Sequence, residues 1–431
     1  MKRYLGIKTK VLPAIHKEIS ILLNGKRGSV CDIFSGSLAV SLSMKERGHS
    51  VISNDINLLS YIYGKAFLLA KDVPQFNAKK LMKGYEKKMS DIIAKADAMI
   101  SSQRRIFERR NVYNEFHSWE DYRKQHLSLA CVLSFLEDFA QPLEKKRGGR
   151  NDLFDYYTKA GKKSRYESVR GTKGNRNYFT AENASRVDII LSYIRYWFRT
   201  DQINEKQKCV LLSLLLDSVE RHINIHGTYH DFPRNSFEAR ALKPFRFVFP
   251  DYFGLLHAGS RRHVLGKAQD SLQFIKNAPK HDILYLDPPY NFRQYTAYYF
   301  LPNFIASYAD IKDLDAYLAE VQFVRGQNMK DDFYSTFCNK KSFIQELEKI
   351  IKAARCKHLI LSYFNGVNHW NRFLEEDNTL GLSMIKDFLS SCEQLDKKSI
   401  KIVPVDRQNY QSQNGHRSKL IQEYLLVASK R

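Results

Sequence analysis

The stretch "GSVCDIFSGSLAVSLSMKERGHSVISNDIN", residues 28–57, decides the fold. Val30 to Phe34 form a short apolar run that ends in small residues, the pattern of a buried strand entering a turn. "SLAVSLSMKERG" then carries apolar side chains at helical spacing and closes on Gly48, a helix stop signal. "SVISNDIN" reads as a second strand ending at Asp55, and "LLSYIYGKAFLLA" as a second helix. Strand and helix alternating from residue 29 to about residue 70 predict a parallel sheet with helices on its faces.

The pattern changes beyond residue 75, where charged helical segments run to about residue 225 with few strand-like stretches. Alternation resumes after residue 255 with "RRHVLGKAQDSLQFI", "DILYLD", "KKSFIQELEKIIKAA", "HLILSYF" and "GLSMIKDFLSS", and then two strands, "SIKIVPV" and "QEYLLVAS". The expected fold class is α/β, a sheet core split by a large, mainly helical insertion. The expected division is a catalytic domain in two parts, residues 1–74 and 255–431, around an insertion at 75–254. A polar loop over residues 406–419 joins the last two strands.

With 69 Lys and Arg against 46 Asp and Glu, the 431 residues carry a formal charge of +23, which points to a polyanionic partner, nucleic acid before membrane. The longest apolar runs, such as "CVLLSLLLDSV", are interrupted and core-sized, so no transmembrane helix is expected. The basic start "MKRYLG" lacks the h-region of a signal peptide, and a cytoplasmic protein is expected. Six cysteines without a CxxC pair read as reduced thiols. "HINIHGTYH" spaces three histidines by four residues, yet Gly227 ends the helix and no acid completes the set, so no metal site is expected.

Residues 144–176 concentrate charge: eleven basic side chains against four acidic ones, interleaved with Tyr156, Tyr157, Tyr166 and glycines. Without apolar periodicity the segment reads as a loop with no core of its own, mobile until DNA orders it, whose Lys145, Lys146, Arg147, Arg165, Arg170 and Arg176 meet backbone and bases. Arg293 and Arg417 are further candidates for DNA contact.

In open α/β sheets ligands bind beyond the carboxyl ends of strands. Two such ends carry chemistry. In "DIFSGS", residues 32–37, Gly36 lets the backbone approach a ligand, and Asp55 at the end of the next strand is placed to accept from ribose hydroxyls. In "LYLDPPYNFRQY", residues 284–295, Asp287 emerges where the strand stops, and Pro288 and Pro289 fix the turn without donating an N–H. Tyr290 offers a flat face for a base. An exocyclic amine held between the Asp287 carboxylate and the Pro288 carbonyl would be drawn towards tetrahedral geometry, localising its lone pair for attack.

These residues resemble the DNA adenine-N6 methyltransferases, in the class whose FxG motif and recognition insertion precede DPPY. "RYLGIKTKVLP" is similar to the family's N-terminal motif, which implies Tyr4, Gly6 and Lys8 as contacts around S-adenosylmethionine. "DIFSGS" with Asp55 resembles the FxG motif and its ribose acid, and with it Asp32, Phe34 and Gly36 carry over to the cofactor site. "KAQDSLQFI" resembles the segment whose Asp270 meets the cofactor's adenine ring; Asp287 also borders the cofactor, and "LILSYFN" resembles a later core strand. Leu38 stands where many relatives have a second glycine, and Ile7 where a small residue is usual. The resemblance implies a Rossmann-like, S-adenosylmethionine-dependent sheet that methylates a flipped adenine in double-stranded DNA, with a cognate restriction endonuclease as the partner to look for. It fixes neither the recognition site nor the oligomeric state. Two other readings stay open: cytosine-N4 or RNA amino-methylation, and a nucleic-acid-binding protein with a vestigial cofactor pocket.

Overall fold

A computed structural model describes residues 4–256, 261–365, 368–370, 379–408 and 420–431. The chain divides into two compact units. One gathers Tyr4–Gly64, Ser260–Tyr298 and Phe333–Arg431; the other gathers Met1–Arg3, Lys65–Gly259 and Tyr299–Asp332.

The first unit is built on seven strands: β1 (Ser29–Asp32), β2 (Ser50–Ser53), β3 (Val264–Leu265), β4 (His281–Leu286), β5 (Cys356–Phe364), β6 (Leu395–Gln408) and β7 (Leu420–Lys430), in the spatial order β6-β7-β5-β4-β1-β2-β3. β3, β2, β1, β4 and β5 run parallel, with Val30 beside Ile283 and Leu286 beside Leu361. β7 runs antiparallel between β5 and β6. This is the Rossmann-like α/β sheet the alternation predicted. From β1 the chain steps outward to β2 and β3, then returns to place β4 on the other side of β1. The carboxyl ends of β1 and β4 therefore flank the point where the strand order reverses, the place where such sheets bind ligands.

The apolar runs of the sequence become the core. Leu284 and Leu286 of β4 and Leu359 and Leu361 of β5 pack with helices 343–353 and 380–391. Helix Phe343–Ala353 buries Phe343, Leu347, Ile350 and Ile351, one helical face at i, i+4, i+7 and i+8. Alternation along β4 keeps Tyr285 out of that cluster and on the face it shares with Asp287.

Two strand ends fall earlier than the apolar pattern suggests. β1 stops at Asp32, and Phe34 sits in the turn, edge-on to Phe337 at 5.2 Å. β2 stops at Ser53, although the Asn54 N–H still bonds the Asp32 carbonyl as the last rung of the ladder.

The other unit is mainly helical, with long helices at Met89–Ser101, Trp119–Ser134, Ala181–Arg199 and Glu205–His222. Here the reading of residues 144–176 as coreless fails. Asp152–Tyr157 is helical, and Arg165–Glu167 pairs with Lys173–Asn175 as a hairpin. Tyr156, Tyr157 and Tyr166 are buried, the last against Phe232. The tyrosines interleaved with the charges supply the apolar surface that the charge count concealed. No described helix is long and apolar enough to cross a membrane.

Candidate active site

The turn after β1 is held by a network centred on Asp55. Its Oδ2 accepts from the Gly36 N–H at 2.8 Å, and its Oδ1 accepts from Asn57 N and Nδ2 at 2.8 and 3.0 Å. The same Asn57 amide donates to the Tyr4 hydroxyl at 3.2 Å, and Ser60 donates to the Gly36 carbonyl. Burial pushes the Asp55 carboxyl above its ordinary range, against the pull of these donors. Gly36 has φ +49°, and a Cβ there would lie 2.5 Å from the Tyr4 ring. Glycine is thus required twice over, by conformation and by space. Leu38, fully buried, also adopts a left-handed conformation, φ +60°. It occupies a glycine-like conformation with a branched side chain, and such strain is kept only where surrounding structure imposes it.

Asp32, at the end of β1, accepts from Ser41 Oγ at 2.8 Å; its Oδ1 has no hydrogen-bond partner of ordinary geometry among the described residues. Burial, with some repulsion from Asp287 and Asp55, raises its carboxyl to about 7.

At the end of β4, Asp287 Oδ1 lies 2.8 Å from Lys8 Nζ, and the same ammonium lies 2.9 Å from Glu423 Oε1 of β7. Lys8 also donates to the Gly6 carbonyl at 3.2 Å. Burial disfavours the Lys8 charge, but Asp287 and Glu423 outweigh it and hold the ammonium well above its ordinary range. Ser362 of β5 donates to Glu423 Oε1 at 2.5 Å. Pro288 is buried. Tyr290 is 8% exposed, stacked on Phe364 at 6.0 Å and edge-on to Tyr363 at 5.8 Å. The segment that follows is tied down: Gln294 accepts from Ser335 N at 2.9 Å, as does Thr296 from Phe333 N.

A cleft joins the two strand ends. Its wall brings together Tyr4, Gly6, Lys8, Asp32, Phe34, Gly36, Asp55, Asp270, Asp287 and Pro289. Asp270 also caps helix Ser271–Asn277, accepting from Leu272 N and Gln273 N. Tyr290 and Pro288 are not on this wall.

The candidates for DNA contact are differently placed. Lys145, Lys146 and Arg147 are exposed on a single helical turn; Arg165 and Arg170 are exposed on the hairpin, whose tip carries Val169 at 98% exposure. Arg176 is 4% exposed, and its guanidinium donates to the carbonyls of Phe323, Lys163, Val324 and Tyr156. Arg293 is half-buried over the Tyr298 ring. Arg417 and most of the 406–419 loop lie outside the described residues.

Three site residues escaped the motif reading: Glu423, Asn57 and Tyr285, whose buried hydroxyl lines the cleft without a hydrogen-bond partner among the described residues. Glu423 left a signal, since an acid at the inward position of the apolar strand "QEYLLVAS" requires a buried partner.

A glycine turn after one parallel strand and an Asp-Pro-Pro-Tyr turn after its neighbour, sharing one cleft, define the class of amino-directed methyltransferases. The chain belongs to the family of D12 class N6 adenine-specific DNA methyltransferases, whose model matches residues 4–330. Type II methyltransferase M.NlaIII of Neisseria lactamica is 34% identical over 196 residues, 45% of this chain and 53% of that protein. Type II methyltransferase M.FokI of Planomicrobium okeanokoites is 25% identical over 361 residues, 84% of this chain and 44% of that protein. Modification methylase StsI of Streptococcus sanguinis is 24% identical over 431 residues, all of this chain and 52% of that protein. The chain thus spans about half the length of these curated relatives. No solved structure matches it significantly.

Proposed function

We propose that the protein transfers a methyl group from S-adenosylmethionine to the N6 amine of an adenine extruded from double-stranded DNA, at a specific site. The observation that carries this is the position of Asp287: it leaves the central strand β4 into the cleft whose opposite wall is the Gly36 turn. An amine donating its N–H to the Asp287 carboxylate meets an electrophile held over that turn. The amine inside a duplex is paired, so the base must leave the stack, at a cost of a few kcal/mol.

The cleft suits S-adenosylmethionine. Asp55 accepts ribose hydroxyls, Gly6, Phe34 and Gly36 allow close approach of the chain, and Asp270 meets the cofactor's adenine ring. The buried Tyr285 hydroxyl, without a hydrogen-bond partner among the described residues, leaves polar capacity in the wall for a polar ligand. When bound, the cofactor supplies an activated methyl group; the chain's own residues orient it and polarise the amine. Pro288 and Pro289 hold the turn rigid, and Tyr290 is assigned to stacking on the base.

Catalysis is assigned to the sheet unit, and DNA recognition to the helical unit that contains residues 75–254. There Lys145, Lys146, Arg147, Arg165 and Arg170 are available to DNA; Arg176 serves from within the fold, and Arg293 and Arg417 lie in the sheet unit's part of the chain. We place the protein in the cytoplasm, beside DNA and a cognate restriction endonuclease, because the relatives carry the names of type II and modification enzymes. The adenine-specific family favours N6 over cytosine N4 or RNA, and the intact Asp287 and Lys8 favour an enzyme over a vestigial binder.

Modification-sensitive sequencing of DNA from cells expressing the chain tests this. N6-methyladenine confined to one short motif is the expected result. Unmodified DNA, or methylated cytosine alone, would overturn it.

A further inference from the structure

We infer that Glu423 is a positioning residue for methyl transfer, acting through Lys8 to leave the catalytic Asp287 an uncompensated negative charge towards the cleft and to hold it in place. The inference rests on the methyltransferase reading above and adds to it a residue outside every recognised motif.

Lys8 is an ammonium shared by two carboxylates, at 2.8 Å from Asp287 and 2.9 Å from Glu423. The side chains of Lys8 and Glu423 are 4% and 0% exposed, so neither charge is relieved by water. Asp287, at 17%, is the one member that opens towards solvent and the cleft. The three charges sum to −1. Had Lys8 met Asp287 alone, the pair would be neutral, and the carboxylate would have little field left for a substrate. With Glu423 taking part of the ammonium, the negative excess remains at the end of the triad that faces the cleft.

That excess is what the reaction asks for. As the amine nitrogen bonds to the methyl carbon and the carbon–sulfur bond breaks, positive charge accumulates on the nitrogen, which then releases one proton to solvent. A preorganised anion there stabilises the transition state more than the neutral amine. Glu423 is itself fixed by Ser362 at 2.5 Å, and both residues stand on adjacent strands, β7 and β5. The other titratable groups coupled to the triad are Tyr285, Tyr290 and Asp32.

The test compares the 431-residue wild type with Glu423→Gln, Glu423→Asp, Lys8→Met and Ser362→Ala, using S-adenosylmethionine and unmethylated plasmid DNA. Glu423→Gln keeps the shape and an acceptor while removing the charge. Its single-turnover rate should fall by about tenfold or more, less than the roughly 100- to 1,000-fold loss of a direct transition-state contact. Calorimetric affinity for S-adenosylmethionine should stay within about twofold, and Glu423→Asp should recover part of the rate. The acid limb of the pH–rate profile should move to lower pH in Glu423→Gln, where Lys8 belongs to Asp287 alone. It should move to higher pH in Lys8→Met, where two carboxylates face each other unscreened. Ser362→Ala, which keeps all three charges but loosens Glu423, should lose less rate than Glu423→Gln and leave the pH–rate profile in place. A Glu423→Gln enzyme with wild-type rate and profile would overturn the inference, as would a Ser362→Ala enzyme as slow as Glu423→Gln, which would show that packing and not charge matters. A wild type that methylates nothing would instead remove the methyltransferase reading itself.

Discussion

Replacing Asp55 by asparagine separates its role as staple of the turn from its proposed role as acceptor for the cofactor ribose. The carboxylate takes three donors, Gly36 N, Asn57 N and Asn57 Nδ2. An asparagine has one oxygen for them. Turned so that its oxygen serves the two Asn57 donors, it sets its own amide against the Gly36 N–H and leaves one partly buried donor unsatisfied, at about 1–3 kcal/mol. Turned the other way it strands two, so the first orientation should prevail. Ribose hydroxyls donating to a carboxylate are worth about 1.5–3 kcal/mol more than none, so the dissociation constant for S-adenosylmethionine should rise by roughly 10- to 150-fold. Calorimetric titration measures that rise, a thermal melt measures the cost to the turn, and fluorescence anisotropy with unmethylated DNA checks that DNA affinity is unchanged. A lowered melting temperature with cofactor affinity within about twofold of wild type would refute the ribose assignment and leave Asp55 as a turn staple only.

Asp287→Ala should abolish methyl transfer while largely sparing cofactor binding, and loss of cofactor affinity in step with the rate would count against its action on the amine. Asp32, with its carboxyl raised from 3.8 to about 7 by burial, holds its proton more tightly folded than unfolded. Its contribution to stability is therefore full below about pH 4 and is lost as the pH rises to about 7, a change on the order of 4 kcal/mol. Urea titrations of Asp32→Asn should show a flatter decline over that window, and parallel slopes in mutant and wild type would sink the assignment. Arg176→Ala strips donors from four buried or partly buried carbonyls and should destabilise the chain by about 3 kcal/mol or more, whereas Arg170→Ala should leave stability unchanged and weaken DNA binding with a shallower salt slope. Equal melting temperatures for the two would contradict the buried role of Arg176.

The β1–turn–helix unit was legible because its apolar spacing, Gly36 and Gly48 all agree, and the turn after β4 because two prolines admit few conformations. The charges of residues 144–176 misled for a physical reason. A count of arginines does not tell which guanidinium finds carbonyls, and Arg176 finds four while Arg165 and Arg170 remain in solvent. Tyr299–Asp332 groups with the helical unit although its apolar helix Phe300–Ser307 would suit either core. Glu423 needed topology: only the insertion of β7 between β5 and β6 brings a carboxylate so distant in sequence to Lys8.

That ion triad draws its members from three distant places in the chain, positions 8, 287 and 423, on segments that meet only when the strands have paired. Contacts of such sequence separation are entropically costly to close and form late in folding. The negative excess proposed for the cleft is therefore a product of completed sheet assembly, and a chain whose β7 has detached keeps Lys8 beside Asp287 but loses Glu423, the second carboxylate on that ammonium. If S-adenosylmethionine binds only the paired arrangement, as the proposed function requires, saturating amounts should slow that detachment, measurable as hydrogen-exchange protection along β7, far in sequence from the Gly36 turn.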